Sequence, residues 1–544
     1  MKHHIKNTII AASLLALPTQ ALLPQYLGTK AYANERSITT KRPGLSTAEI
    51  DQLVAKVMDA FQVPGMAVGI IKDGKVIHAK GYGIREVGKK GKVDEKTLFS
   101  IASTGKSFTA GALALLVDDG KIKWDDKVID YISAFQMNDP WVTREFTIKD
   151  LLIHNSGLGL GAGDLMFWPT SGFSREEIIR NLKHLKPVSS FRTKYAYDNL
   201  LYIVAGEVIA VVSGESYEDF VDRRILKPLG MKHCAANRSR LKKVGNIAEP
   251  HQVMGGKLTK VSRLEAVHER SITAAAGGIQ CSVQSILKWH QMHLNKGKFP
   301  NGDILFSEMQ HAEIMTPQTI TPVTETKKDW FGTSFSAYGL GWFLEDIYGV
   351  KLVQHSGGLQ GMTSLNAMIP ELGLGVAIYT NQQAGYDRPA IMYSILDSYL
   401  TDGKRDWIPK LLEVKKKRIA DAAKMGRDLT IEPYTPTGSI ERYIGTYKDP
   451  WFGTVDITKT KGGLYFSSAR SARLKGRMVP FKSDLFIVQW DDRTLDADAY
   501  VKFTTGYDGN PEGIIMKAVS PLTDFSFDFH DLNFERVSEK KNSE

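Results

Sequence analysis

The stretch of sequence that decides the fold covers residues 98–120 and reads LFSIASTGKSFTAGALALLVDDG. Its longest segment, Phe108 to Val117, carries no charged residue and is apolar on most faces, which predicts a central, buried helix. Ser103 and Lys106 stand three residues apart at the head of this helix, and residues at that spacing share one helix face. The sequence therefore predicts a serine hydroxyl and a lysine amine side by side in a cleft.

A lysine in this position can activate the serine. If the pocket keeps water from the Lys106 amine, the pKa of the amine falls, and the amine can accept a proton or keep another base ionised. The Ser-x-x-Lys pattern alone is weak evidence, because further copies begin at Ser239, Ser285 and Ser538. Only the copy at Ser103 lies between an apolar lead and a long uncharged helix, so we interpret Ser103 as a nucleophile.

The same residues allow a second interpretation, a phosphate-binding loop. Residues 100–107 differ from the P-loop pattern in one place, since Ser100 stands where the first glycine belongs, and serine disfavours the backbone angles needed there. A Walker-B-like Leu116-Val117-Asp118 falls within the same helix instead of on a later strand. Nucleotide binding is therefore the weaker alternative.

The chain up to residue 405 has the pattern of an α+β domain. After a helical pattern at Thr47 to Phe61, the strand-like runs Met66 to Ile71 and Val76 to Tyr82 flank an Asp-Gly pair, a strong hairpin signal. Helical patterns follow at Ser103–Asp118, Ser174–Leu185, Leu200–Val212 and Val283–Leu294, and a late group of strands lies between Gly339 and Tyr379. We expect helices to flank one antiparallel sheet that both ends of the domain complete.

The composition changes near Asp406. Residues 406–436 are first Lys/Ala-rich and then Pro/Thr-rich, as linkers are, and we interpret their basic run, Lys415 to Arg418, as part of a solvated linker helix. From residue 437 to 540, short β-rich runs alternate with turn residues at the spacing of a small barrel or sandwich. The tail aromatics predict a packed core, with a ligand cavity as the alternative: Tyr465, Phe486, Trp490 and Phe503. The first domain then covers residues 44–405.

Residues 1–33 have the pattern of a signal peptide. Lys2 and Lys6 precede a short apolar run, and Ala31 and Ala33 fit a cleavage site that leaves Asn34 as the mature start. Cleavage after residue 21 and an uncleaved anchor are alternatives, although the apolar run is short for a bilayer span. We expect a periplasmic or secreted protein with no stable membrane span after cleavage.

The composition restricts the kinds of partner and cofactor that we expect. With 42% hydrophobic and 10% aromatic residues the chain can bury a sizeable core, and a net charge of +10 over 544 residues is weak evidence for nucleic acid, so we predict no such partner. No cysteine or histidine cluster has zinc-ligand spacing, and we predict neither a metal nor another cofactor. Whether Cys234 and Cys281 pair stays open, because sequence does not give their separation.

Two further motifs follow Ser103 in order. Tyr197-Asp198-Asn199 precedes an apolar helical pattern, and His355-Ser356-Gly357-Gly358, which holds the one His-x-Gly of the chain, ends a β-rich run. Supporting segments are LLIHNSGL (151–158), AGGI (276–279) with Ser282, YGLGW (338–342) and IYTN (378–381). Together these segments resemble the serine β-lactamase and penicillin-binding-protein superfamily, most closely its class C β-lactamase and D,D-carboxypeptidase/esterase branch, over about residues 45–400.

The resemblance implies a β-lactamase/transpeptidase-like fold with an all-helical subdomain beside the sheet. The tail in turn resembles the lipocalin-like β domain often appended to such hydrolases, through YIGTY (443–447) and DFSF (524–527). Ser103 would attack a carbonyl and become acylated. Lys106 and Tyr197 would form the proton-transfer pair, and the division of that work between them stays open.

The resemblance also implies substrate-binding and oxyanion residues. Asn199 would orient the lysine and the substrate amide, backbone N–H groups of Ser103 and Gly358 would form the oxyanion hole, and His355 with Gly357 would line the opposite wall. His355 departs from the Lys-Thr-Gly of β-lactamases, because histidine is only partly charged at neutral pH. Asp198 is a second departure, and we expect its carboxylate to face solvent.

These observations imply a serine hydrolase that cleaves a small peptide, amide or ester through an acyl-enzyme. D,D-peptidases, D-aminopeptidases and esterases are the comparable activities, and peptidoglycan fragments are among the substrates that the resemblance suggests. Two alternatives stay open. One is a non-catalytic penicillin-recognising or cell-wall-binding sensor, and the other is a weak β-lactamase.

Overall fold

The computed structural model of the protein describes residues 42–241, 245–263, 271–425, 434 and 439–537. The predicted signal peptide, the Pro/Thr-rich part of the predicted linker other than residue 434, and the Ser-x-x-Lys copy at Ser538 lie outside these ranges.

The helices and strands are given in chain order. The α-helices are α1 (Thr47–Phe61), α2 (Lys106–Asp118), α3 (Pro140–Glu145), α4 (Arg175–Asn181), α5 (Leu200–Ser213), α6 (Tyr217–Val221), α7 (Val283–Leu294), α8 (Glu308–Ile314), α9 (Glu325–Phe331), α10 (Asp387–Leu400) and α11 (Trp407–Met425). The first domain contains strands β1 (Gly65–Lys72), β2 (Lys75–Gly83), β3 (Phe99–Ser100), β4 (Cys234–Ala235), β5 (His251–Met254), β6 (Lys257–Lys260), β7 (Gln280–Cys281), β8 (Thr319–Ile320), β9 (Ser336–Tyr338), β10 (Phe343–Ile347), β11 (Val350–Leu359), β12 (Met362–Ile369) and β13 (Leu374–Thr380). The tail contains β14 (Gly445–Asp449), β15 (Gly453–Thr460), β16 (Gly463–Ser468), β17 (Lys475–Lys482), β18 (Leu485–Trp490), β19 (Ala499–Thr505), β20 (Pro511–Ala518) and β21 (Asn533–Arg536).

The main sheet of the first domain has eight strands in the order β2-β1-β13-β12-β11-β10-β9-β8, and its neighbouring strands pair antiparallel. The early hairpin thus pairs with a late strand, and both ends of the domain complete the sheet. Strands β12 and β13 are buried on both faces, because α10 packs on one side, together with α1, and α7 on the other, where α2 packs behind it. The predicted α+β class is confirmed.

Helix α2 is the buried helix that its composition predicts. A short 3₁₀ turn at Ala102–Gly105 leads into it, and every residue from Lys106 to Leu116 is buried.

A disulfide joins Cys234 on β4 to Cys281 on β7, which answers the pairing question that the sequence left open. No single helix in the described ranges is long and apolar enough to cross a membrane; α5 taken with Tyr217–Leu226 passes that test only as a pair bent by 77°.

The tail is a closed barrel of eight strands, so the barrel alternative of the sequence analysis is confirmed. Phe486, Trp490 and Phe503 are buried in its interior, as expected of core residues. Tyr465 does not belong to that core: it is only half-buried, and its hydroxyl donates a hydrogen bond to Asp491 (2.6 Å) on the outside. Strand periodicity places residues on alternate faces, and Tyr465 is on the outer one.

Helix α11 occupies the first part of the predicted linker. Its residues Trp407 and Leu411 are buried against the core that α1 and α10 form, and the Trp407 indole N–H donates to Asp397 (2.8 Å). The basic run Lys415–Arg418 lies further along the same helix, beyond these anchoring contacts.

Candidate active site

Ser103 lies in the 3₁₀ turn that leads into α2. The preceding residue, Ala102, has a φ of +49°, a left-handed conformation that costs a non-glycine residue about 1–3 kcal/mol and is typical of functional sites. Strand β11 passes close to this turn at Gly357, where a Cβ atom would lie 2.5 Å from the Ile101 carbonyl oxygen. The absence of a side chain at Gly357 therefore lets β11 approach the serine.

Lys106 begins α2 and is fully buried. Its Nζ lies 3.4 Å from Ser103 Oγ, 2.7 Å from Asn199 Oδ1 and 2.8 Å from the Ala276 carbonyl oxygen. Burial lowers the pKa of Lys106 to about 7, although the nearby carboxyls of Asp164 and Asp198 oppose this shift. A substantial fraction of the lysine is therefore a neutral amine at neutral pH.

The partners of Nζ orient that neutral amine. It has two N–H groups and one lone pair, while the Asn199 Oδ1 and the Ala276 carbonyl oxygen can only accept hydrogen bonds. When both N–H groups donate to these acceptors, the lone pair is left for the third neighbour, Ser103 Oγ. The arrangement suits transfer of the serine proton to the lysine, and such distances commonly shorten when substrate binds.

Tyr197 flanks the same pair. Its ring centroid lies 4.8 Å from Lys106 Nζ, and the ring also packs on His154 at 4.3 Å between centroids. Burial raises the pKa of the Tyr197 hydroxyl well above its usual value, and the nearby Ser103 hydroxyl opposes this shift. Tyr197 is consequently a neutral phenol at physiological pH.

Asn199 connects the lysine to the C-terminal barrel. Its Nδ2 donates to Asp164 Oδ2 (2.8 Å), and the same carboxyl oxygen accepts the Ser526 hydroxyl (2.7 Å). Asp528 fixes the loop that carries Asp164, because its two carboxyl oxygens accept the backbone N–H groups of residues 163 (2.6 Å) and 165 (3.1 Å). Burial raises the pKa of Asp164 and of Asp528 well above the usual range.

His355 lies on the wall formed by β11 and is buried. Its Nδ1 is 2.6 Å from the Ser356 carbonyl oxygen, so this nitrogen carries the proton, and its Nε2 accepts the Tyr338 hydroxyl (2.9 Å). Burial lowers the pKa of His355 to about 3, with Lys106 contributing in the same direction. The imidazole is therefore neutral at pH 7 and polar rather than cationic.

These side chains border a cavity of about 350 Å³ between the two domains. Of the residues that the sequence predicts for the site, five line it: Ser103, Tyr197, Asn199, His355 and Gly358. Lys106 lies behind Ser103, and Gly357 serves the close approach of β11 instead of lining the cavity. A Cβ atom on Gly358 would meet nothing within 4 Å, so its backbone faces open space.

The expectation that Asp198 faces solvent is wrong. The residue is fully buried, and its Oδ1 accepts the backbone N–H of Leu200 (2.8 Å) at the start of α5. Burial raises the pKa of Asp198 to about 7. Its backbone N–H donates to His154 Nδ1 (3.1 Å), which gives that buried histidine a structural role.

Three residues of the site were missed from the sequence: Asp164, Ala276 and Ser526. Ala276 acts through its carbonyl oxygen, which no side-chain pattern reveals, although it belongs to the AGGI segment. Asp164 and Ser526 are 362 residues apart, and only the packing of the barrel on the first domain brings them together. In the part of the chain that the structure describes, no group of three His, Cys, Asp or Glu side chains is arranged to hold a metal ion.

Comparison with known proteins places this geometry in a family. The Beta-lactamase family model matches residues 50–398, and a domain of unknown function, DUF3471, matches residues 429–536. An unguisins hydrolase of Aspergillus campestris is 27% identical over 85% of this chain and 87% of its own length. Protein flp of Staphylococcus aureus is 27% identical over 63% of this chain and 64% of its own length.

A solved structure has the same fold. The octameric penicillin-binding protein homologue from Pyrococcus abyssi superposes with a TM-score of 0.59 at 22% identity, over 90% of this chain and 100% of that one. The β-lactamase match spans more than half of the chain and includes the Ser103–Lys106 pair, Tyr197, Asn199 and His355. The protein therefore belongs to the β-lactamase family of serine hydrolases and carries a C-terminal β-barrel.

Proposed function

We propose that the protein cleaves a peptide, amide or ester bond through an acyl-enzyme on Ser103. The observation that carries this proposal is the environment of Lys106: a buried amine whose pKa is lowered to about 7, with two N–H groups directed at acceptors and its lone pair left for the serine. Such an amine is a base at neutral pH without the help of a histidine.

In the first half of the reaction, Ser103 Oγ attacks the substrate carbonyl carbon while its proton passes to Lys106 Nζ. The developing oxyanion lies between the backbone N–H groups of Ser103 and Gly358, and one such donor contributes about 3–4 kcal/mol to transition-state stabilisation. The carbon–heteroatom bond then breaks, and the leaving amine or alcohol takes the proton from Lys106. The product of this half is an ester between the acyl group and Ser103.

In the second half of the reaction, a water molecule takes the place of the serine hydroxyl as the nucleophile. Lys106, neutral again, accepts a proton from a water molecule that attacks the acyl ester, and it returns the proton to Ser103 Oγ as the ester breaks. One water is consumed and a carboxylic acid is released. An amine that replaces this water would give acyl transfer by the same steps.

Lys106 is better suited than Tyr197 to be the base. The pKa of Tyr197 is raised well above its usual value, whereas the pKa of Lys106 is lowered to about 7. The tyrosine is therefore assigned to donate or relay a proton as a neutral phenol. Asn199 holds the Lys106 amine in position by accepting the 2.7 Å hydrogen bond from Nζ.

The neutral state of His355 restricts the substrate. A β-lactamase of this family uses a permanent cation at the corresponding wall for the substrate carboxylate, whereas the pKa of His355 is lowered to about 3. We therefore assign peptides, amides and esters that carry no carboxylate at this wall as the preferred substrates and rank β-lactams below them.

The test is covalent labelling of the purified full-length chain with a fluorescent fluorophosphonate. We expect labelling of the wild type and none of Ser103→Ala, while Ser285→Ala, which changes another Ser-x-x-Lys copy, should be labelled normally. Equal labelling of Ser103→Ala would overturn the assigned nucleophile. Many turnovers on p-nitrophenyl esters would identify an enzyme; an acyl-enzyme that persists without product release would identify a sensor instead.

A further inference from the structure

The barrel forms one wall of the catalytic cavity. Loop residues Asp524, Phe525 and Ser526, between β20 and β21, line the cavity together with residues of β11. The Phe525 ring is 6.0 Å from the Tyr197 ring, and a Cβ atom on Gly161 would lie only 2.7 Å from it. The loop is thus fitted tightly to the first domain at the mouth of the cavity.

The wall that the barrel loop forms carries an acidic side chain. Among the described residues that line the cavity, Asp524 has the one carboxyl group, and the His355 imidazole is neutral. Much of the remaining lining is apolar or aromatic, with Leu160, Phe167 and Phe343 as examples. In such surroundings a carboxylate, when ionised, attracts a cationic group of a substrate.

The Asp524 carboxylate has capacity for a partner. Its Oδ1 accepts the backbone N–H of Ser526 (3.0 Å), and among the described residues no lysine or arginine forms an ion pair with it. Burial by the surrounding protein raises the pKa of Asp524, and the hydrogen bonds from Ser526 oppose this. A cation beside the carboxylate would lower the pKa again and be held in return.

We propose that Asp524 is a specificity residue that binds a free ammonium group of the substrate. The substrate class is then amino-acid amides, amino-acid esters and peptides whose free amino group lies close to the scissile carbonyl. Substrates with a carboxylate in that place are repelled. The proposal rests on the acyl-enzyme function proposed above and adds the chemistry of the substrate to it.

Asp524 also has a structural role that a test must keep. The hydrogen bond from Ser526 N–H to Oδ1 closes a tight turn within the loop. Asp524→Asn retains an oxygen at Oδ1 that can accept this bond and removes only the charge. The substitution therefore separates substrate recognition from the shape of the loop.

The experiment compares hydrolysis of alanine p-nitroanilide with hydrolysis of N-acetyl-alanine p-nitroanilide, both enantiomers of each, by wild type and Asp524→Asn. We expect the wild type to prefer the free amine at least tenfold in kcat/KM, and the variant to lose that preference through the free-amine substrate. Labelling by the uncharged fluorophosphonate should be the same in both proteins.

Each outcome decides the proposal. If both proteins are labelled at Ser103 but Asp524→Asn keeps the wild-type preference for the free amine, or if the wild type prefers the acetylated substrate, amine recognition by Asp524 is overturned while the acyl-enzyme function stands. If neither protein is labelled, the acyl-enzyme function fails and the proposal fails with it. Selective loss of activity on the free amine supports it.

Discussion

The protein contains two eight-stranded antiparallel sheets that are used in opposite ways. The open sheet of the first domain is covered by helices on both faces, and β12 and β13 have buried residues at every position. The closed sheet of the barrel is packed on its inner face alone, and a strand such as β19 alternates between buried and more exposed residues. One sheet is buried inside its domain, and the other is the outer surface of its own domain.

This difference decides where chemistry arises. In the open sheet, β11 passes beside the turn that carries Ser103, so this strand brings His355 and Gly358 to the nucleophile. The barrel has no free edge, and its interior is filled by aromatic rings such as Tyr443 and Phe503, whose centroids are 4.5 Å apart. The barrel therefore reaches the site through a loop, residues 524–528, and through no strand that lines the cavity. Three predictions test this contrast, and the free-energy change expected from each is smaller than that from the one before.

Phe503→Ala should have the largest effect, because it removes a buried ring from the centre of the barrel. We expect the free energy of unfolding to fall by about 3–5 kcal/mol, measured by urea denaturation followed by tryptophan fluorescence. Lys502→Ala changes the exposed neighbour on the same strand and should cost within about 0.5 kcal/mol. Below the unfolding transition both variants should be labelled by fluorophosphonate at the wild-type rate. Slower labelling of a folded Phe503→Ala would mean that the barrel interior takes part in the reaction.

The pH dependence of labelling tests the first domain. Since the pKa of Lys106 is about 7 and its neutral form is the base, the labelling rate should be constant above that pH and fall about tenfold per unit below it, or about a hundredfold at pH 5. Asp198→Asn removes a carboxyl that raises the pKa of Lys106, so it should move the midpoint to lower pH. A rate that continues to rise beyond pH 10 would assign the base to Tyr197 instead.

Ser526→Ala tests the connection between the two regions and should have the smallest effect. The loss of one hydrogen bond to Asp164 should slow labelling by about threefold to tenfold, equivalent to about 1 kcal/mol. Because the Ser526 hydroxyl lowers the pKa of Asp164, its removal leaves that carboxyl less charged, and the Lys106 midpoint should move to lower pH.

Two variants serve as controls for Ser526→Ala. Ser526→Thr keeps a hydroxyl and should restore both the rate and the midpoint. Ser483→Ala, at an exposed position of the barrel, should change neither of them. An unchanged pH midpoint in Ser526→Ala would mean that this contact holds the barrel on the first domain and has no influence on the pKa of Lys106.

The sequence predicted those parts of the molecule that local pattern controls. Helix α7 has the predicted bounds, Val283–Leu294, because its periodicity is strong and Ser282 caps it. The Ser103–Lys106 pair could be singled out because a long uncharged helix has to be buried. The family resemblance supplied the roles of Tyr197, Asn199 and His355, which spacing alone does not give.

The remaining features depend on contacts that spacing does not encode. The burial of Asp198 follows from its position at the head of a helix whose residues 200–209 are all buried, where its carboxyl replaces a missing backbone acceptor for Leu200. The link from Asp164 to Ser526 requires two domains to pack. Asp164 stands in no recognisable motif, and the DFSF segment that contains Ser526 indicates a β domain without indicating a role in the site. The shift in the pKa of Lys106 is likewise a property of burial, which the sequence suggested in direction only.

The 362-residue separation of Asp164 and Ser526 has a consequence for how activity arises during folding. Contacts between distant parts of a chain form late, after each domain has gained its own core. A refolding chain would thus have its helices and its reactive serine before the barrel loop closes the network behind Lys106. The nucleophile belongs to the first domain, but it becomes fully active only after the barrel has packed on that domain.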